Sequence, residues 1–148
     1  AVVLFVGRRV EGKLPGDAIE AVSRLDRSDV KLYVVGDGPM RSELEEEAGD
    51  RVAFLGQVPY EEMPAVYRAG DALVLPSRAE GVPRTVLEAF ASGVEGSGVT
   101  VSVGDVEGFA EGIEAVFGGE FGDPRAVIEG SFDWAETVER TTGVLERL

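Results

Sequence analysis

Cysteine and histidine are both missing from the 148 residues. Without cysteine there is no disulfide framework and no thiolate metal site. Without histidine, the commonest general base and metal ligand at neutral pH are unavailable. Lysine is scarce, with only Lys13 and Lys31 among 14 basic residues. No apolar run is long enough to cross a bilayer, and no basic-then-apolar leader opens the chain. Neither internal repeats nor low-complexity segments occur, so the length suggests one domain with a real core. A cytoplasmic location is the resulting expectation. What the chain has in excess is acid: 28 Asp and Glu leave a formal charge of −14. Such a surface repels nucleic acid and anionic membranes. It could be a docking face for a basic partner or an adaptation to high salt. The acids are spread along the whole chain and form no tail, which favours a salt-adapted organism.

Apolar patterning gives the order of elements. Val2 to Val6 is a continuous apolar run ending at Gly7, as expected of a strand buried on both faces. Arg8 and Arg9 follow it, and Lys13 precedes Leu14-Pro15-Gly16. Ala18, Ile19, Val22 and Leu25 then recur at helical spacing, with Asp17 as the expected N-cap. Lys31 to Val35 reads as a second strand meeting a tight turn at Gly36-Asp37-Gly38-Pro39. Met40 to Ala48 is an acidic helix, and Arg51 to Leu55 a third strand. Tyr60 to Arg68 is a short helix whose Tyr60, Met63, Val66 and Tyr67 read as core or staple residues. Asp71 to Leu75 is the fourth strand, Arg84 to Ser92 the next helix, and Val106 to Phe117 another. A short helix over Asp123 to Glu129 and a last one from about Phe132 to Leu148 complete the chain. Four strand–helix alternations predict an α/β fold with a Rossmann-like, doubly wound parallel sheet.

The stretch Pro76 to Gly93, PSRAEGVPRTVLEAFASG, holds the most chemistry. It begins where the fourth strand ends. In an open α/β sheet, ligands bind there, and a following helix N-terminus offers free N–H groups to an anion. Pro83 suits a first helical position, so Glu80 belongs to the loop and Glu88 to the helix. Even along one helix, eight steps of ~1.5 Å would separate these carboxylates by roughly 12 Å. That spacing does not suit a shared proton but fits a grip on both ends of an elongated polar ligand.

Glu80-Gly81-Val82-Pro83-Arg84-Thr85-Val86-Leu87-Glu88 with Ala89-Phe90-Ala91-Ser92-Gly93 resembles the E-x7-E signature of retaining nucleotide-sugar glycosyltransferases of the GT-B fold, the glycosyl transferases group 1 family. Two glutamates eight apart are common in an acidic chain. Set within strand-PS-x-x-EG-x-P-x-x-x-LEA-x-A-SG the pattern is far more specific. Gly7-Arg8 with Lys13 matches the family's G-R-x(4)-K, Val35-Gly36-Asp37-Gly38-Pro39 its VGDGP turn, and Phe132-Asp133-Trp134 the start of its terminal helix. The resemblance runs from Val2 to Leu148 apart from a break near Glu95, and implies that residues 1–148 are the C-terminal, donor-binding half of such an enzyme.

Several roles come with the resemblance. Arg8 and Lys13 would bind the diphosphate and stabilise it as leaving group, so that no metal is required. Glu80 would contact the donor sugar and Glu88 the two ribose hydroxyls. The backbone of Gly81, Val82, Arg84, Thr85 and Val86 would line sugar and phosphates, Ser77 the phosphate pocket, Gly36 the nucleotide, and Val58 the base. Each has a plainer reading: Arg8 and Lys13 as surface cations, Glu80 and Glu88 as solvated charges, Gly36 to Pro39 as a turn demanding positive φ.

The pattern departs from the family at Leu14, where glycine is usual. It departs again between Val94 and Gly98, where a strand–loop–helix unit has no counterpart. Matching flanks on both sides favour residues left out at this junction over a true deletion. The implied partners are a nucleotide-sugar donor and an N-terminal acceptor-binding domain of the same protein. No nucleic acid and no transmembrane segment are expected, and any peripheral membrane contact would fall to the acceptor half. Two other readings remain: a nucleotide-sugar epimerase-like GT-B relative, and a non-catalytic α/β binding or interaction module.

Overall fold

The computed structural model describes residues 1–78, 84–92 and 101–118. Among them, four strands form one sheet in the order β3-β2-β1-β4, parallel throughout: β1 (Val2–Val6), β2 (Lys31–Val35), β3 (Val52–Gly56) and β4 (Ala72–Val74). The central strand β1 is apolar at every position because both its faces are covered. Val3 and Phe5 look into one core and Leu4 and Val6 into the other, all buried. This is the doubly wound sheet expected from the strand–helix alternation.

Helices α1 (Pro15–Arg24), α2 (Arg41–Glu47) and α5 (Val106–Phe117) supply Ala18, Val22, Leu44, Ala110 and Ile113 to the first core. Helices α3 (Met63–Ala69) and α4 (Arg84–Ala91) bring Met63, Tyr67 and Ala89 to the second. The chain builds outward from β1 through β2 to β3, then returns past β1 to lay down β4 on its other side. The gap between β1 and β4 is therefore the topological switch point, where a doubly wound sheet opens a crevice at the C-terminal strand ends.

Four details differ from the sequence reading. Asp17 is not the N-cap of α1. Leu14 holds that position, because Pro15 sets the φ of the first helical residue and Asp17 falls in the first turn, donating its N–H to the Leu14 carbonyl at 3.1 Å. Leu14 adopts φ 47°, ψ 49°, a left-handed conformation that glycine takes without strain. For leucine this conformation costs about 1–2 kcal/mol. The segment from Tyr60 is a 3-10 turn, Tyr60–Glu62, before α3 begins at Met63. Tyr60 is consequently out of register with the Met63–Tyr67 stripe and is 70% exposed, not part of the core. Boundaries of α2, β3, β4 and α4 shift by one residue. The helices expected beyond residue 118, and the junction between Val94 and Gly98, lie outside the described residues.

Candidate functional site

The C-terminal ends of β1, β2 and β3 are laced together by backbone hydrogen bonds. Gly7 donates its N–H to the carbonyl of Val35 at 3.0 Å, and Gly36 donates to that of Gly56 at 2.7 Å. Gly36 has φ +117°, and a Cβ there would strike the Gly7 carbonyl; one on Gly38 would strike that of Arg9. The turn after β2 can therefore lie against the turn after β1 only because these residues lack side chains. In front of it opens a cavity of about 500 Å³, a volume suited to a small-molecule ligand. Gly7, Arg8, Gly36, Asp37, Gly38, Gln57 and Val58 line it, with Val6, Val35 and Met63 as apolar wall.

Arg8 is exposed at this wall, while its neighbour Arg9 is fully buried on the other side of the sheet end. The Arg9 Nη2 donates to Asp37 Oδ1 at 2.8 Å, Nη1 lies 3.8 Å from Glu45 Oε1, and the guanidinium stands 5.5 Å from the centre of the Phe54 ring. Asp37 Oδ1 also accepts the Gly38 N–H at 2.8 Å. That bond, and then Arg9, hold the Asp37 carboxyl below the usual carboxylate range. Arg9 thus fixes the Gly36–Gly38 turn from behind. Sequence reasoning passed over it. The signal that could have found it is the pairing of two arginines at a strand end with an acid in the next turn, since adjacent residues of extended chain face opposite sides.

The loop after β1 forms a 3-10 turn, Glu11–Lys13, in which Lys13 is half-buried. The carbonyl of Gly12 accepts the N–H of Arg78 at 3.0 Å, so the loop after β1 meets the loop after β4 across the switch point. Beside Arg78, the Ser77 Oγ is buried with no hydrogen-bond partner among the described residues. A buried hydroxyl with capacity to spare suits the edge of an anion pocket. In α4, Arg84 is exposed and Thr85 and Val86 are half-buried. Glu88 accepts the Tyr67 hydroxyl on Oε2 at 2.9 Å, and its Oε1 is 3.6 Å from the Arg84 guanidinium. Burial, and then the bond to Glu88, push the Tyr67 phenol far above its ordinary value, so it stays a donor.

Of the expected residues, Gly7, Arg8, Gly36 and Val58 share one cavity. Lys13, Ser77, Arg84, Thr85, Val86 and Glu88 are not in its lining. Lys13 and Ser77 flank the Gly12–Arg78 bond. Glu88 joins through Tyr67, which packs with the cavity walls Val6 and Met63. Glu80, Gly81 and Val82 lie outside the described residues. No cluster of three acids able to hold a metal ion stands among the described residues.

The family described as Glycosyl transferases group 1 matches residues 1–118. A 2-deoxystreptamine glucosyltransferase of Streptomyces kanamyceticus is 40% identical over 99 residues, covering 62% of this chain and 26% of that protein. Anabaena HepE, solved in complex with UDP-glucose, superposes with a TM-score of 0.79 at 22% identity over 99% of this chain and 49% of its own. The C-terminal domain of a glycosyl transferase group 1 family protein from Francisella tularensis superposes with a TM-score of 0.74 at 19% identity, over 90% of this chain and 86% of that domain. At these identities the two structures show likeness of fold. The chain spans about a quarter of the length of the curated relatives it matches first.

Proposed function

The chain belongs to the glycosyl transferases group 1 family, and on that footing we propose that it is the donor-binding domain of a retaining glycosyltransferase that moves a sugar from a nucleoside diphosphate to an acceptor. Arg8 forks onto diphosphate oxygens and Lys13 adds a point charge, so that two cations stabilise the leaving group and no metal is called for. Gly36, without a side chain, lets the backbone approach the nucleotide, and the Val58 backbone meets the base. Ser77 Oγ–H donates a hydrogen bond to a phosphate oxygen. Glu88 accepts from the ribose hydroxyls. Glu80 contacts the donor sugar, with the backbone of Gly81, Val82, Arg84, Thr85 and Val86 around it. Front-face displacement then retains the anomeric configuration, the diphosphate departing as the acceptor oxygen bonds to the anomeric carbon.

The observation that carries this reading is the Gly12–Arg78 hydrogen bond. It ties the loop of Arg8 and Lys13 to the loop after β4 that bears Ser77 and Arg78, which supports a single ligand shared between the first motif and the second. The acceptor side belongs to an N-terminal domain of the same protein, which would also carry any peripheral membrane contact. No helix among the described residues is long and apolar enough to cross a membrane. The acid excess with scarce lysine supports a cytoplasm rich in salt as the working medium. Calorimetric titration of the full-length protein with UDP, GDP and ADP and their sugars tests the reading: one base gives saturable heat, and no heat with any of them overturns it.

A further inference from the structure

Glu88 does not stand alone on α4. Its Oε2 is held at 2.9 Å by the hydroxyl of Tyr67, a residue of α3 that is 1% exposed. The Tyr67 ring packs in the second core with Val6 and Met63, which are also walls of the 500 Å³ cavity. The other contact of Glu88, Arg84, is 77% exposed and one helical turn away, an ion pair of little consequence in water. Among the described residues, Tyr67 is therefore the rigid anchor of this carboxylate.

A carboxylate that accepts two vicinal hydroxyls must keep its plane fixed while both bonds form. On a half-exposed helix position it would otherwise rotate, and ordering it would weaken binding. We propose that Tyr67 is the positioning residue of the ribose end of the site: its hydroxyl fixes one oxygen of Glu88 so that the carboxylate meets the ribose diol already aligned. The inference rests on the reading of Glu88 as the ribose acceptor. It adds that ribose recognition depends on a buried phenol that never touches the ligand.

The test is a titration of the full-length protein and its Tyr67→Phe variant with whichever of UDP, GDP or ADP binds, and with the 2′,3′-dideoxy form of the same nucleotide. Phenylalanine keeps the ring in the core and removes only the hydroxyl. Tyr67→Phe is expected to weaken binding of the ribonucleotide about tenfold, the scale of one bond to a charged group, and to leave the dideoxynucleotide unchanged. In a Glu88→Ala background the same change should have no further effect. Equal losses on both nucleotides, or none on either, would overturn the inference while leaving the ribose reading intact. A parent protein that binds both nucleotides equally would overturn the Glu88 assignment itself, and Tyr67's role with it.

Discussion

The carbonyl oxygen of Gly12 accepts the backbone N–H of Arg78 over 3.0 Å, joining two loops 66 positions apart in the sequence where β1 and β4 part company. A backbone bond needs no particular side chain, which is why no residue pattern announced it. It makes the loop that carries Lys13 a neighbour of Ser77.

Two glycines near this crevice should respond differently to the same change. Gly12 has open space where a Cβ would go, whereas a Cβ on Gly36 would meet the Gly7 carbonyl at φ +117°. Gly12→Ala is expected to alter stability by no more than about 0.5 kcal/mol. Gly36→Ala should cost about 2–4 kcal/mol, from strained backbone and a displaced strand end. Chemical denaturation of both variants checks the contrast; similar midpoints would contradict the close approach of the two turns.

Arg9 should matter more for its volume than for its charge. It is fully buried, stacked near Phe54, with Nε and Nη1 lacking hydrogen-bond partners among the described residues. Arg9→Ala empties that space and is expected to cost about 2–4 kcal/mol, while Arg9→Met, which refills it, should stay within about 1 kcal/mol of the parent. The partner carboxyl gives a pH signature. Asp37 is held low by the Gly38 N–H and by Arg9, so its contribution is complete above the ordinary carboxylate value of about 4 and is lost as pH falls through the lowered one. Asp37→Asn should lose less stability than the parent between about pH 5 and pH 2. Parallel acid curves would contradict the pairing.

Tyr67 supplies the opposite limb. Its phenol is raised by burial and by Glu88, so the native state prefers it protonated. Stability from this group is intact below the unfolded phenol value of about 10 and declines as pH rises beyond it. Tyr67→Phe should therefore flatten the alkaline fall in denaturation midpoint. A variant curve as steep as the parent's would show that the hydroxyl does not sit as described.

Salt should stabilise the protein. A formal charge of −14 repels itself, and screening shortens that repulsion from about 10 Å at 0.1 M salt to about 3 Å at 1 M. The melting temperature is expected to rise by several degrees between those concentrations of potassium chloride. A flat or falling profile would remove the case for salt adaptation.

The sheet was legible because its signal is local. Val2–Val6 is apolar without interruption, which only burial on both faces allows, and Gly36-Asp37-Gly38 names its own turn. Other features depended on what lies across space. Arg9 looked like Arg8, and its burial follows from Asp37, Glu45 and Phe54, each on a different element. Tyr60 matched a helical stripe but sits in the 3-10 turn that precedes it. Leu14 holds a left-handed backbone conformation that favours glycine, something its side chain gives no hint of. The tie from Tyr67 to Glu88 joins residues 21 apart, each readable singly and the pair only in three dimensions.

Arg8 gives the most direct test of a crevice built to hold a sugar diphosphate. Titrate the full-length protein and its Arg8→Ala variant with the nucleoside diphosphate that binds and with the corresponding nucleoside, which has the base and ribose but no phosphate. The account predicts that the variant loses about tenfold or more in affinity for the diphosphate and nothing for the nucleoside. Equal affinities of parent and variant for the diphosphate would contradict it.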